Sequence, residues 1–370
     1  MKIFLVEIET LEPVVIAAKK GRSKLVEGLR YIPASSIAGA IARKTIIENM
    51  KASLGNCKDV SLDRTPDCSN CPKNCPYKRL WIDKKAKITN AVKGSWDLRS
   101  PGIVNLQSVC EPRIKDSNKA SKRDYLFKLF LERMTWSGEA NPRDASAILE
   151  MDYKKSPSNF DGTDFSDVEL VQLTRVSIDE RLKTCKEGLL YSFTAIKDGQ
   201  KFRFMALVDE DFKEILNGEM RIGAWRSRGM GLVRSRVVEE ISKEEYIQFR
   251  EKEIRKGFDE IAKVLDGSGL EGYYGTYTYL TDGTKKLDLD TRFRVERIRR
   301  LTRYEKDGQR ASFISRNTIM AGSAGVFYTR EPENLSRSLA ELELGIFGDP
   351  WFDWVFFNHP VHYEKSVLRG

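Results

Sequence analysis

Between residues 221 and 236 the chain reads RIGAWRSRGMGLVRSR, with five arginines, no acid, and glycines at positions 223, 229 and 231. Arginine presents a planar fork of donors that matches phosphate oxygens. Glycine lets backbone N–H groups approach an anion with no Cβ in the way. The following Leu232-Val233 is strand-like, so this is a Gly-rich loop feeding a sheet. No Gly-Lys-Ser/Thr follows and no helix begins there, which excludes a nucleotide P-loop. The chemistry that fits is a sequence-independent grip on phosphates by Gly223, Arg226, Ser227, Arg228, Gly229 and Gly231. The competing reading is a hairpin turn with incidental surface arginines.

A second constellation is Cys57-x10-Cys68-x2-Cys71-x3-Cys75, four thiols within 19 residues, while Cys110 and Cys185 stand alone. Four thiolates around a Cys-x2-Cys core suit a closed tetrahedral zinc site. Pro66, Pro72 and Pro76 and the scarcity of apolar residues leave the insertion at 55–80 unable to build a core, which a structural Zn2+ would supply. Reduced, unliganded thiols on a loop are the alternative. Disulfides are disfavoured, because the start of the chain reads as a strand rather than a secretory signal.

Candidates for catalysis are sparse. The only histidines, His359 and His362, lie beside Pro360 in the last twelve residues, and a structural role is expected for both. Asp97, Asp116 and Asp152 could each serve a metal-dependent cleavage, and nothing in the sequence prefers one. A non-enzymatic chain is therefore expected, with an RNA endonuclease as the alternative.

The elements that must position these groups can be read from periodicity. The opening alternates Phe4, Val6 and Ile8 against Ile3, Leu5 and Glu7, as a partly buried strand does. In YIPASSIAGAIARKTIIENM, Pro33 ends an extended segment and Ser35 or Ser36 can cap a helix carrying Ile37, Ile41, Ile47 and Met50. Gly39 in its first turn costs about 1 kcal/mol against Ala; close approach of a backbone or a phosphate would explain it. Ser35, Ser36, Gly39, Arg43 and Lys44 thus join the candidate phosphate contacts. Strand-like runs recur at Gly188–Ile196 and Phe202–Val208, and Ser242–Asp266 reads as an amphipathic helix ending at Gly267-Ser268-Gly269. On that helix Arg250 and Arg255 are expected on the solvated face.

Two further basic runs, Arg292–Arg310 and Arg113–Lys128, are either solvated faces or additional nucleic-acid contacts. A weak internal echo pairs Ala34–Gly39 with Ala321–Gly325, and Ile222–Val233 with Leu344–Val355. Hydrophobic residues at 41% and a net charge of +9 fit a packed protein with a polyanionic partner. No apolar run reaches the ~18 residues of a membrane span, and a cytoplasmic location is expected.

IPASSIAGAIA resembles the Pro-Gly-Ser-Ser-x-x-Gly-Ala segment that opens the first helix of RAMP proteins, and IGAWRSRGMGLV resembles their Gly-rich loop. Val176–Ile196 is similar to the stretch preceding that loop. Thr318–Tyr328 and Phe357-Asn358-His359-Pro360 resemble the second domain of the type III-D subunit called Csx-ten, a relative of the fifth Cas family. The resemblance implies an α+β chain of two ferredoxin-like (RRM-like) RAMP domains with a Cys-rich zinc-binding insertion. The expected layout is 1–240, a linker helix at 241–267, and a second domain at 268–370. It also implies a CRISPR subunit that holds the five-prime tag of CRISPR RNA beside a Cas10-type large subunit and backbone subunits like the seventh Cas family. The second loop departs from the pattern: Gly348-Asp349-Pro350-Trp351-Phe352-Asp353 has lost the arginines. Trp351, Phe352 and Trp354 are expected in a core or a subunit contact.

Overall fold

The computed structural model describes residues 1–20, 25–51, 71–73, 75–94, 96–99, 101–102, 108–110, 122–124, 126–139, 168–178, 185–266, 268–284, 286–307, 310–345 and 353–363. In chain order the elements are β1 (Lys2–Thr10), β2 (Ala17–Lys20), β3 (Leu25–Gly28), α1 (Ala34–Lys51), β4 (Lys87–Ile88), β5 (Val92–Lys93), β6 (Ser108–Cys110), β7 (Lys122–Asp124) and α2 (Leu126–Ser137). Then come β8 (Leu170–Ile178), β9 (Cys185–Ile196), β10 (Lys201–Val208), β11 (Gly218–Arg221), β12 (Leu232–Ser242) and α3 (Lys243–Leu265). The last are β13 (Tyr273–Tyr279), β14 (Thr291–Val295), β15 (Ile298–Asp307), β16 (Arg310–Ile319), β17 (Ala324–Thr329), α4 (Pro332–Gly345) and β18 (Val355–Phe357). None of the described helices is long and apolar enough to cross a membrane.

Two compact units divide the chain: Met1–Gly102 with Phe165–Ser242, and Ile103–Asp164 with Lys243–Gly370. The first holds an antiparallel sheet ordered β11-β12-β1-β10-β4, with β5 also on β10, and a second sheet ordered β2-β3-β9-β8. β1 pairs with β10 on one edge and β12 on the other. It is therefore central, and Ile3 to Ile8 are buried without a break. The expected half-buried alternation is corrected accordingly: a strand covered on both faces carries a continuous apolar run. Glu7 lies within that run. Burial works against its charge, yet hydrogen bonds from Arg236 (2.7 Å) and Arg203 (3.1 and 3.3 Å) outweigh this and hold its carboxyl below the usual range.

α1 lies against β4, β11 and the 3-10 turn Glu210–Leu216, with Ile37 and Ile41 buried. Its first amide is not capped by Ser35 or Ser36. The Ala34 amide donates instead to Oδ1 of buried Asn90 at 2.8 Å, and the Ser36 and Ile37 amides donate to the Pro33 carbonyl. A cap supplied from 56 residues away is invisible to local pattern.

The second unit has an antiparallel sheet ordered β14-β17-β13-β18, a separate β15–β16 ribbon and the short β6–β7 pair. Counting strands in chain order, β18-β13-β17-β14 runs fourth-first-third-second, as β12-β1-β10-β4 does in the first unit. α2 buries Leu126, Phe127, Phe130, Leu131 and Met134 against Ile261 and Leu265 of α3 and against Tyr274 and Val326. That apolar stripe places α2 within the second unit. The segment read as a linker helix is α3, and its face Tyr246, Ile254, Phe258 and Ile261 is likewise buried, with α3 against β13 and α4. The Ala34–Gly39 echo also fails in structure: the first copy opens a helix, whereas Ala321–Gly325 turns into a strand.

Arg250 overturns the expectation of a solvated face. It is 1% exposed and donates to both carboxylate oxygens of fully buried Glu343 at 2.9 Å, and to the Phe357 carbonyl at 2.6 Å. Its guanidinium lies 3.7 Å from the Phe356 ring centroid. Tyr246 donates to Glu343 at 3.2 Å, and the Phe357 amide donates to it at 2.9 Å. The network ties α3, α4 and β18 together with its donors and acceptors matched. Burial alone would discharge Arg250, but Glu343 outweighs it and raises its pKa. Arg250→Ala strands a buried carboxylate and is expected to cost about 3–5 kcal/mol in chemical denaturation. Arg255→Ala, on a side chain 48% exposed, should change stability by less than about 0.5 kcal/mol.

Candidate nucleic-acid interface

The loop joining β11 to β12 is fastened along its base. The Ala224 amide donates to the Val15 carbonyl (2.9 Å), the Gly231 amide to Pro13 (3.0 Å) and the Ile222 amide to Gly231 (2.8 Å). Gly223 and Gly231 take positive φ values of 84° and 82°. A Cβ on Gly223 would sit 2.3 Å from the Val15 carbonyl oxygen, and one on Gly231 only 2.1 Å from that of Ile222. These two glycines are needed for packing of the chain on itself. Gly229 differs: it is exposed, with φ 73° and nothing within 4 Å of a would-be Cβ. Between them Trp225 adopts a left-handed φ of 56° and lays its ring 3.8 Å, centroid to centroid, from buried Phe193. Met230, Val15 and Ala195 complete that small core.

The five arginines separate into two kinds. Arg221 donates to both oxygens of Glu12 at 2.6 and 3.1 Å and to the Met230 carbonyl at 2.9 Å. Glu12 also accepts the Leu232 amide, and the Arg221 hydrogen bond chiefly holds its carboxyl below the usual range. Arg234 pairs with Glu219 at 2.9 Å, and Arg236 with Glu7. Arg226 and Arg228, on the exposed turn Arg226–Arg228, have no side-chain partner among the described residues. Exposed Ser227 stands between them.

These side chains face α1 across a groove of about 830 Å³ lined by Ala40, Arg43, Lys44 and Ile47 on one wall and by Gly223, Trp225 and the 226–228 turn on the other. Arg43 is also unpartnered among the described residues. Lys44 is engaged, its ammonium donating to the Ile215 (3.3 Å) and Asn217 carbonyls. The two acids on the groove, Glu48 and Glu219, face Lys44 and Arg234. Ser35, Ser36 and Gly39 do not line it. Ser36, Gly39 and Arg43 follow one another at helical spacing on α1, and nothing in the chain comes within 4 Å of a Cβ on Gly39. Packing against the described residues thus gives no reason for that glycine. Three uncommitted guanidiniums around one groove form an anion-binding surface with no acid free to oppose it.

A model of the family described as the RAMP superfamily matches residues 7–234. The chain belongs to the RAMP superfamily. This RAMP protein matches no curated protein. Among solved structures it is similar to a chain of the Type III-B Cmr-beta bound to cognate target RNA and AMPPnP, at 14% identity and a TM-score of 0.44, covering 93% of this chain and 90% of that one. A chain of the Type III-B Cmr-beta bound to cognate target RNA is similar at 13% identity and a TM-score of 0.42, with 87% and 86% covered. A chain of the Type IV-B CRISPR Complex is similar at 13% identity and a TM-score of 0.29, with 64% and 90% covered.

Of the other candidates, His359 and His362 are buried in the second unit, and His362 Nε2 shares a 2.6 Å hydrogen bond with Thr278 Oγ1. Asp97 is exposed and accepts the Arg99 amide, while Asp116 and Asp152 lie outside the described residues. Trp354 is buried and Asp353 accepts both the amide and the hydroxyl of Thr284; Asp349, Trp351 and Phe352 lie outside the described residues. Asn90 and Glu12, which aim α1 and the loop, carry no signal in the sequence.

Because the Glu12 pKa is lower folded than unfolded, its contribution is present above the ordinary carboxylate value of 4.5 and is lost as pH falls through the folded value. Amide-exchange protection of residues 223–231 in the RAMP loop should therefore drop below about pH 4.5 in the wild type. In Glu12→Gln it should be lower already at pH 7 and show no such acid step.

Proposed function

We propose that this RAMP protein is the RNA-binding, non-catalytic subunit of a CRISPR effector complex, gripping guide RNA by its phosphates in the groove between α1 and the Gly/Arg loop. The observation that carries this reading is the trio Arg43, Arg226 and Arg228, uncommitted within the described residues and set around one groove. Guanidinium forks without base-reading partners suit a backbone rather than a sequence.

The finer assignment rests on motif resemblance. It is a type III subunit like Csx-ten, holding the five-prime tag beside a Cas10-type large subunit and contacting backbone subunits like the seventh Cas family. Each sheet is taken as a ferredoxin-like unit, a reading supported by their common fourth-first-third-second antiparallel order. Cys57, Cys68, Cys71 and Cys75 are proposed to hold one structural Zn2+. Cys71 and Cys75 are both buried, whereas Cys57 and Cys68 lie outside the described residues. Among the described residues no group of three or more metal-ligating side chains converges.

Arg226→Ala with Arg228→Ala should weaken guide-RNA binding by about 2–4 kcal/mol, taking about 1–2 per lost charge-assisted contact. It should also flatten the salt dependence by about 1.4 if each arginine neutralises one phosphate of a single strand. Lysine at both positions should restore part of the affinity, since charge returns without the fork. Arg255→Ala is the control. Unchanged affinity and salt slope in the loop variant would make the loop a plain turn. Metal-dependent cleavage of labelled guide or target RNA by the purified chain would assign an endonuclease instead.

Elemental analysis should find about one zinc per chain, lost in Cys71→Ser with Cys75→Ser. A well-folded wild type without metal would remove the zinc assignment.

A further inference from the structure

The second unit has its own unassigned basic groove of about 530 Å³, along the edge strand β14. Four cations line it, Arg133, Lys286, Arg292 and Arg294, against two acids, Asp290 and Glu296. The acids are already engaged: Asp290 accepts Arg292 at 2.8 Å, and Glu296 faces Arg294 at 3.8 Å. Arg133 and Lys286 are exposed and unpartnered among the described residues, so the groove carries uncompensated positive charge.

A second observation lies one helical turn beyond Arg133. Trp136 is 86% exposed. At 100° per residue it falls on the side of α2 opposite the buried stripe Phe127, Phe130, Leu131 and Met134. It therefore supplies nothing to the core. Residues three apart on a helix have Cβ atoms about 5–6 Å apart, so Trp136 and Arg133 are neighbours on the surface of α2. An aromatic face next to a cationic groove is the pairing that single-stranded nucleic acid uses, with a base stacked and its phosphate held alongside.

We propose that this face of the second unit is a further contact for single-stranded RNA, with a base stacked on Trp136 and the neighbouring phosphate bound by Arg133 and Lys286. The inference rests on the reading of the chain as an RNA binder, but on none of the residues of the first groove. Stacking is tolerant of sequence because every base has a π-face. The contact therefore extends the protein's hold on the strand without adding specificity.

The test uses the full chain with oligoadenylate carrying one 2-aminopurine, in the wild type and in the Arg226→Ala/Arg228→Ala background. Trp136→Ala should lower affinity about tenfold in both and abolish quenching of the 2-aminopurine, while Trp136→Phe retains most of each. Arg133→Ala with Lys286→Ala should lower affinity and flatten the salt slope by about 1.4. Undiminished affinity and quenching in Trp136→Ala would overturn the proposal. If the first-groove variant still loses affinity, the proposed function survives that failure. If neither groove responds, both readings fall. Trp136→Ala that binds RNA normally but no longer joins purified partner subunits would reassign the indole to a protein contact and likewise overturn it.

Discussion

The functional surface depends on how one carboxylate is spent. Glu12 stands where β1 leaves its sheet, and it takes Arg221 in both oxygens and the Leu232 amide besides. That pins the two strands flanking the loop to a single point. With the base closed, the Val15 and Pro13 carbonyls take the Ala224 and Gly231 amides, and the chain comes so close to itself that only glycine fits at 223 and 231. The tip can then remain uncommitted. Glu12, Glu219 and Glu7 offset the charges of Arg221, Arg234 and Arg236, which leaves Arg226 and Arg228 as the uncompensated cations of the loop among the described residues. A loop without the clamp would have to be ordered on binding, at an entropic cost per residue comparable to what each phosphate contact returns.

The same division of labour recurs in the second unit and shows why net charge is a poor guide. Arg250 and Arg133 count equally toward +9. Arg250 is sealed against Glu343 and Phe357, where removing it leaves a buried charge unpaired. Arg133 lies at the rim of a groove whose acids are already engaged. Partner geometry distinguishes the two, and composition does not.

How much of this the residues disclosed follows a physical line. Local pattern located what is locally determined: the Gly/Arg turn, the amphipathic α3, and β10 near its observed ends. It failed where a distant residue decides. Asn90 caps α1 across 56 positions, and Glu12 clamps Arg221 across 209. Arg250 reads as an ordinary surface arginine until Glu343, 93 residues on, is seen beneath it. Trp136 gave no signal because its neighbours Phe127, Phe130 and Leu131 supply a complete apolar stripe without it. In the echo of Ile222–Val233 in Leu344–Val355, residues 346–352 lie outside the described residues. Each copy runs into the strand that pairs with the first strand of its sheet, β12 onto β1 and β18 onto β13.

The described ends of the two copies differ in chemistry. In the first unit the segment entering the fourth strand keeps its cations exposed. In the second, the corresponding described residues are turned inward: Asp353 holds Thr284, Trp354 is buried, and Asn358 bonds the Thr276 amide and the Ile254 carbonyl. Among the described residues of the second unit, two unpartnered cations, Arg133 and Lys286, instead line the groove along β14. The shared strand order thus presents uncompensated cations at non-equivalent places in the two units, because the donors exposed at each are those that the local core has not already used.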